Sequence, residues 1–91
     1  MTRIHVACDP VAPGWSCQVR VVEANSATSH RVSVATADLE RLDPGAADPT
    51  DLVRRSFEFL LEREPKESIL RTFDLMVIGR YFPDWEQRLR R

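Results

Sequence analysis

Cysteine, glycine and lysine are scarce in this chain of 91 residues, and the first two scarcities each remove a class of function. Two cysteines, Cys8 and Cys17, are too few for the disulfide framework that a secreted domain of this size carries. The three glycines, Gly14, Gly45 and Gly79, stand far apart, so there is no glycine-rich loop to cradle a phosphate. No apolar run approaches the roughly 18–20 residues of a membrane span, and Met1-Thr2-Arg3-Ile4-His5 leads into no signal-peptide core. These absences imply a cytoplasmic protein with no membrane partner. A charge of one sign is lacking as well: 13 basic and 14 acidic side chains leave a net −1, with no overall field to gather nucleic acid or anionic lipid. Lysine occurs once against twelve arginines, which is as readily a mark of a GC-rich coding genome as of guanidinium chemistry.

What is present is globular in composition, with 43% hydrophobic and 30% charged residues and no repeat or low-complexity tract. The length suits a single domain, 1–91, that buries about 60–65% of its unfolded surface and has a thin stability margin. Residues 1–35 read as strands. Ile4, Val6 and Cys8 alternate with Arg3, His5 and Ala7, and the strand is expected to end at Asp9-Pro10, where proline removes a ladder donor. After Pro13-Gly14, Trp15, Cys17, Val19 and Val21 share one face, with Ser16, Gln18 and Arg20 on the other. Beyond a turn at 24–28, His30, Val32 and Val34 mark a third strand, and the three form an antiparallel meander.

The period changes over residues 36–91, the helical part. Thr36 is placed to cap a short helix bearing Leu39 and Leu42, which Asp43-Pro44-Gly45 ends. Asp48-Pro49-Thr50-Asp51 then starts a long helix to about Glu64. Leu52, Val53, Phe57, Phe59, Leu60 and Leu61, with Ser56 among them, sweep an arc of about 200°, wider than one sheet face needs. Two or three short helices follow. Ile69, Leu70 and Phe73 form an apolar stripe, a break at Phe73-Asp74 lets the next segment present a different face, and Pro83 opens a last charged turn from Asp84 to Arg91 anchored by Trp85 and Leu89. The fold class is α+β, with helices on one face of a small sheet.

Chemistry-bearing residues do not assemble into a recognisable site. His5, Cys8, Cys17 and His30 are the residue types that bind zinc, but they lack the close Cys-x-x-Cys knuckle, and His5 and Cys8 point to opposite sheet faces. Neither a metal nor another cofactor is expected. Cys8 and Cys17 share the inward face of one hairpin, where two reduced core cysteines are the expected state. Ser29 and His30 are neighbours on a strand and point apart, and Asp51/Arg55 and Arg54/Glu58 read as surface pairs on a helix. No catalytic residue is assigned, and the protein is not expected to be an enzyme.

Two resemblances can be stated. Residues 30–63, "HRVSVATADLERLDPGAADPTDLVRRSFEFLLER", resemble the ribbon-helix-helix family: a strand, a short helix with paired leucines, a turn and a second helix. That likeness implies a strand paired across a dimer and placed in the major groove, with Arg31, Ser33, Arg54 and Arg55 as DNA contacts of a regulator or antitoxin. It covers about a third of the chain, and two upstream strands and a short first helix depart from the pattern. Residues 56–86, "SFEFLLEREPKESILRTFDLMVIGRYFPDWE", resemble small uncharacterised bacterial proteins that share the SFEFLLEREP helix and the RYFP ending. This second likeness implies a recurring bacterial layout and no particular activity.

Residues 71–85, "RTFDLMVIGRYFPDW", hold four of the seven aromatic side chains. Phe73, Met76, Tyr81, Phe82 and Trp85 are expected to complete a core that three strands and one helix cannot close. Any part left exposed would be a contact surface, with Tyr81 and Trp85 as anchors and Arg71 and Arg80 as its polar rim. The reading is therefore a non-catalytic regulatory or protein-interaction module, its partner another protein or a second copy of itself, with DNA binding as the alternative.

Overall fold

The structure is a computed structural model that describes residues 1–89. Three strands of ten residues each, β1 (Thr2–Val11), β2 (Gly14–Glu23) and β3 (Ser26–Ala35), pair antiparallel in the expected meander. Tight turns join them: Ala12-Pro13, with a cis peptide bond, and Ala24-Asn25, with Ala24 at φ 48°. Gly14 is required where β2 meets β3, because a Cβ there would press into the carbonyl oxygen of Val34.

The period-two pattern fixes which face is buried. Cys17, Val19 and Val21 of β2 and His30, Val32 and Val34 of β3 are inward and buried, whereas Gln18, Arg20, Ser29, Arg31 and Ser33 are outward and exposed. Helices α1 (Thr36–Leu42) and α2 (Thr50–Leu61) then lie under the inward face. The wide apolar arc of α2 is filled from two sides. The sheet covers one flank, and α3 (Val77–Tyr81) and α4 (Trp85–Leu89) help to close the other, so that Leu52, Val53, Ser56, Phe57, Phe59 and Leu60 are all buried.

Several expectations are corrected. Pro10 does not end β1, which runs on to Val11. Thr36 does not cap α1: Ala35 holds that position without a side-chain bond, and the Thr36 amide instead donates to the carbonyl of Pro13 (3.2 Å). Helix α2 begins at Thr50 and ends at Leu61, short of Glu64; Asp48 accepts from the Thr50 amide (2.9 Å) just ahead of it.

The larger correction concerns the sheet. It is a four-stranded mixed sheet in the order β1-β2-β3-β4, because Thr72–Asp74 forms a short strand β4 parallel to β3, paired Arg31↔Thr72, Val32↔Phe73 and Ser33↔Asp74. A parallel neighbour needs a crossover of a dozen or more residues, and the α1–α2 segment supplies it. Ile69, Leu70 and Phe73 consequently share no helical stripe: a single 3-10 turn (Lys66–Ser68) precedes them, Ile69 and Phe73 are buried and Leu70 is exposed. Within the final charged turn, Arg90 and Arg91 lie outside the described residues.

Candidate functional site

The segment from Glu62 to Leu89 has little regular structure, and side chains from the rest of the molecule hold it. Trp85 is completely buried; its Nε1–H donates to Ser56 Oγ (3.2 Å), whose own hydroxyl donates to the Leu52 carbonyl (2.8 Å) on α2. His30, buried on β3, bonds the Leu70 carbonyl through Nδ1 (2.8 Å) and Thr28 Oγ1 through Nε2 (2.8 Å). A carbonyl can only accept, so Nδ1 carries the proton in this pairing. The single lysine, Lys66, has a buried side chain whose ammonium reaches Glu67 (2.7 Å) and Glu23 (3.2 Å), joining this segment to the end of β2. The hydrogen bond with Glu67 raises the Lys66 pKa against the opposing effect of desolvation, and lowers that of Glu67.

Where this segment folds over the C-terminal end of α2 it leaves an apolar groove of about 250 Å³. Leu60, Ile69, Phe73 and Phe82 form much of its lining, and Leu70 and Tyr81 stand at it with 48% and 68% of their surfaces exposed. The groove is stiffened from beneath. Phe82 meets Phe59 edge-on, with ring centroids 5.8 Å apart, and the Arg63 guanidinium lies 3.6 Å from the centre of the Phe59 ring while pairing with Asp84 (3.5 Å).

The structure separates the four proposed contact residues. Tyr81, Arg71 and Arg80 are exposed. Trp85 is not: it is a core residue, and a large indole inside α2's apolar arc is removed from water more completely than any rim position would allow. Leu70, which the sequence pattern assigned to a helical stripe, follows a 3-10 turn and proves to be the second exposed large apolar side chain at the groove.

The arrangement implied by the ribbon-helix-helix likeness is not formed. That arrangement needs a strand with a free edge, but β3 is hydrogen-bonded to β2 on one side and to β4 on the other at Arg31 to Ser33. Ser33 donates to Asp74 (2.8 Å). Arg55 is committed to Asp51 (2.8 Å), Asp43 (3.0 Å) and the Leu89 carbonyl (2.9 Å), and Arg54 is half-buried on α2. Arg31 does share the uncovered sheet face with Arg3, Arg20 and His5, where a shallow depression lies around His5, Gln18, Arg20 and Ser29. Among the described residues no Phe, Tyr or Trp stands on that face for a base to stack upon.

The cysteines are not the expected reduced pair. Cys8 and Cys17 are directly opposite in the β1–β2 register and are joined as a disulfide. Their shared face was legible in the sequence; what decided the pairing is the tight Ala12-Pro13 turn, which sets the register that puts them side by side. Among the described residues, no group of three or more His, Cys, Asp and Glu side chains gathers as a metal site, and no buried side-chain nitrogen or oxygen lacks a hydrogen-bond partner. No helix of the described chain is long and apolar enough to cross a membrane. Comparisons with protein-family models, with curated proteins and with solved structures return no match to this chain.

Proposed function

We propose that this protein is a non-catalytic interaction or regulatory module of the cytoplasm that takes an apolar segment of another protein into the groove at Leu70 and Tyr81. The observation that supports it is the exposure of two large apolar side chains at one concave apolar surface, on a segment whose other large apolar side chains are buried or half-buried. Scattered exposed apolar residues need no explanation, but Tyr81 and Leu70 adjoin one apolar groove, and tyrosine is a residue type enriched at interfaces. Arg80 follows Gly79 on α3, next to Tyr81, and supplies the polar rim with Arg71. The cytoplasmic setting is compatible with the cystine only if the bridge opens or cycles there, because thiols in that compartment are kept reduced.

A photocrosslinking side chain installed at position 81 tests the reading in the native host. The expected result is one predominant protein adduct that disappears when Leu70→Asp is added and the melting temperature is unchanged. Adducts that are diffuse, or that survive Leu70→Asp, would remove the groove as the contact site.

A further inference from the structure

The edge formed by β1 is the longest row of unpaired main-chain groups on the described sheet. The register of β1 with β2 runs without a bulge from Thr2↔Glu23 to Val11↔Gly14, so β1's main-chain groups alternate between facing β2 and facing outward. Cys8 and Cys17 set the phase. Their Cα atoms are 4.0 Å apart, the close spacing of an opposed pair that exchanges no main-chain hydrogen bond. Cys8 therefore points its N–H and C=O away from β2, and so do Thr2, Ile4 and Val6. Pro10 falls in the same outward series, so its missing donor costs the β1–β2 ladder nothing, which is why the strand continues through it. Among the described residues nothing hydrogen-bonds to this outward row.

Edges that are meant to stay alone are short, bulged, covered, armed with an inward charge, or carry charged side chains and proline. Strand β1 has Arg3, Asp9 and Pro10 toward its two ends, but from Ile4 to Cys8 it is neither bulged nor covered and no charge points inward. Its core-facing Ile4, Val6 and Cys8 are only half-buried, whereas the corresponding residues of β2 are buried. Apolar surface and main-chain donors thus stop together at the same line.

We propose that β1 pairs antiparallel with β1 of a second copy about a two-fold axis at Val6, so that one sheet continues through both chains. Antiparallel pairing follows from the two-fold symmetry of a self-complementary contact. The register follows from charge. With Val6 opposite Val6 of the second copy, Ile4 faces its Cys8, and Arg3 faces its Asp9 on the uncovered sheet face, twice per dimer. These Arg3–Asp9 pairs fall at the close-set positions of the ladder, where opposite charges interact best. Every outward N–H from Thr2 to Cys8 finds a carbonyl, for about eight main-chain bonds. Slipping one way sets His5 against His5 and leaves Arg3 opposite Ala7. Slipping the other way places Ile4 against Pro10 and reduces the count to about six bonds.

Sedimentation equilibrium across a wide concentration range, with amide exchange followed residue by residue, tests this. The expected result is a monomer–dimer equilibrium in which the Ile4, Val6 and Cys8 amides become protected as concentration rises, while His5 and Ala7, bonded to β2, are protected throughout. Val6→Pro removes an outward donor and no β2 bond, and should raise the dimer dissociation constant roughly thirtyfold through two lost bonds per dimer. Arg3→Asp or Asp9→Arg alone should weaken it roughly tenfold, and the two together should restore it. A chain that stays monomeric with exposed Ile4, Val6 and Cys8 amides overturns the proposal, as does a dimer indifferent to Val6→Pro, or a double variant as weak as either single one. Should Val6→Pro fail to fold by circular dichroism, the amide pattern of the native chain and the charge exchange still decide the matter.

Discussion

The β-meander and the segment after α2 are built on opposite principles. In the meander, residues 2–35, adjacent strands pair along their full ten-residue lengths, and the main chain does most of the holding. From Glu62 to Leu89 the regular elements are short, and the chain is fixed by a few side chains that reach far in sequence: Trp85 to Ser56, His30 to Leu70, Lys66 to Glu23, Arg41 to Glu86. Stability is spread along the first region and concentrated at points in the second. A side-chain surface for a partner is more readily carried by the second kind, since its exposed residues are not needed to complete a ladder, whereas the first kind offers main-chain groups along its β1 edge.

The comparison breaks most sharply at Trp85. Removing a fully buried indole with its hydrogen bond in Trp85→Ala should cost about 3–5 kcal/mol, a large fraction of the stability of a domain this small. Urea denaturation should show it, and a cost below about 1 kcal/mol would mean that the segment is not pinned there. Next is the single covalent point in the meander. Cys8 and Cys17 are separated by 9 in sequence, and closing so short a loop contributes about 2–3 kcal/mol, so reductant should lower the melting temperature without unfolding the sheet. A chain that loses its β signature on reduction would show that the ladder alone does not hold the meander.

A smaller effect, of the opposite sign, is expected in the turn between β2 and β3. Ala24 sits at φ 48°, a conformation that glycine adopts without a Cβ penalty, so Ala24→Gly should stabilise by up to about 1 kcal/mol. The least effect should come from acid. Asp48, hydrogen-bonded by the Thr50 hydroxyl and amide, and Glu67, hydrogen-bonded by Lys66, have folded pKa values below their ordinary ones. Their contributions are therefore complete above the unfolded carboxylate range and are lost as pH falls through the folded values. Amide exchange on lowering the pH should then show loosening around Thr50 and around Lys66 before the meander changes.

Local pattern was sufficient wherever a period could express itself over many residues. The inward faces of β1, β2 and β3 follow from alternation, because a strand offers a side chain only two directions. The arc of α2 was equally legible, and its excess width already indicated that something besides a sheet must cover it. Strand β4 was not legible: three residues, one of them the buried Phe73, cannot establish a period, and their pairing with β3 depends on where a crossover of more than thirty residues returns the chain. The outward turn of Leu70 and the full burial of Trp85 have the same origin.

The meander, the faces of its strands, the two main helices and the need for aromatic bulk to close the core were all written in local pattern, since each rests on neighbours within a few residues. Tertiary structure alone decided which aromatic closes that core and which stays outside, that β4 covers the second edge of β3 at Arg31 to Ser33 while the outer edge of β1 stays open, and that Cys8 meets Cys17. Those outcomes depend on the register and on the return path of distant segments, and neither leaves a periodic trace in the residues themselves.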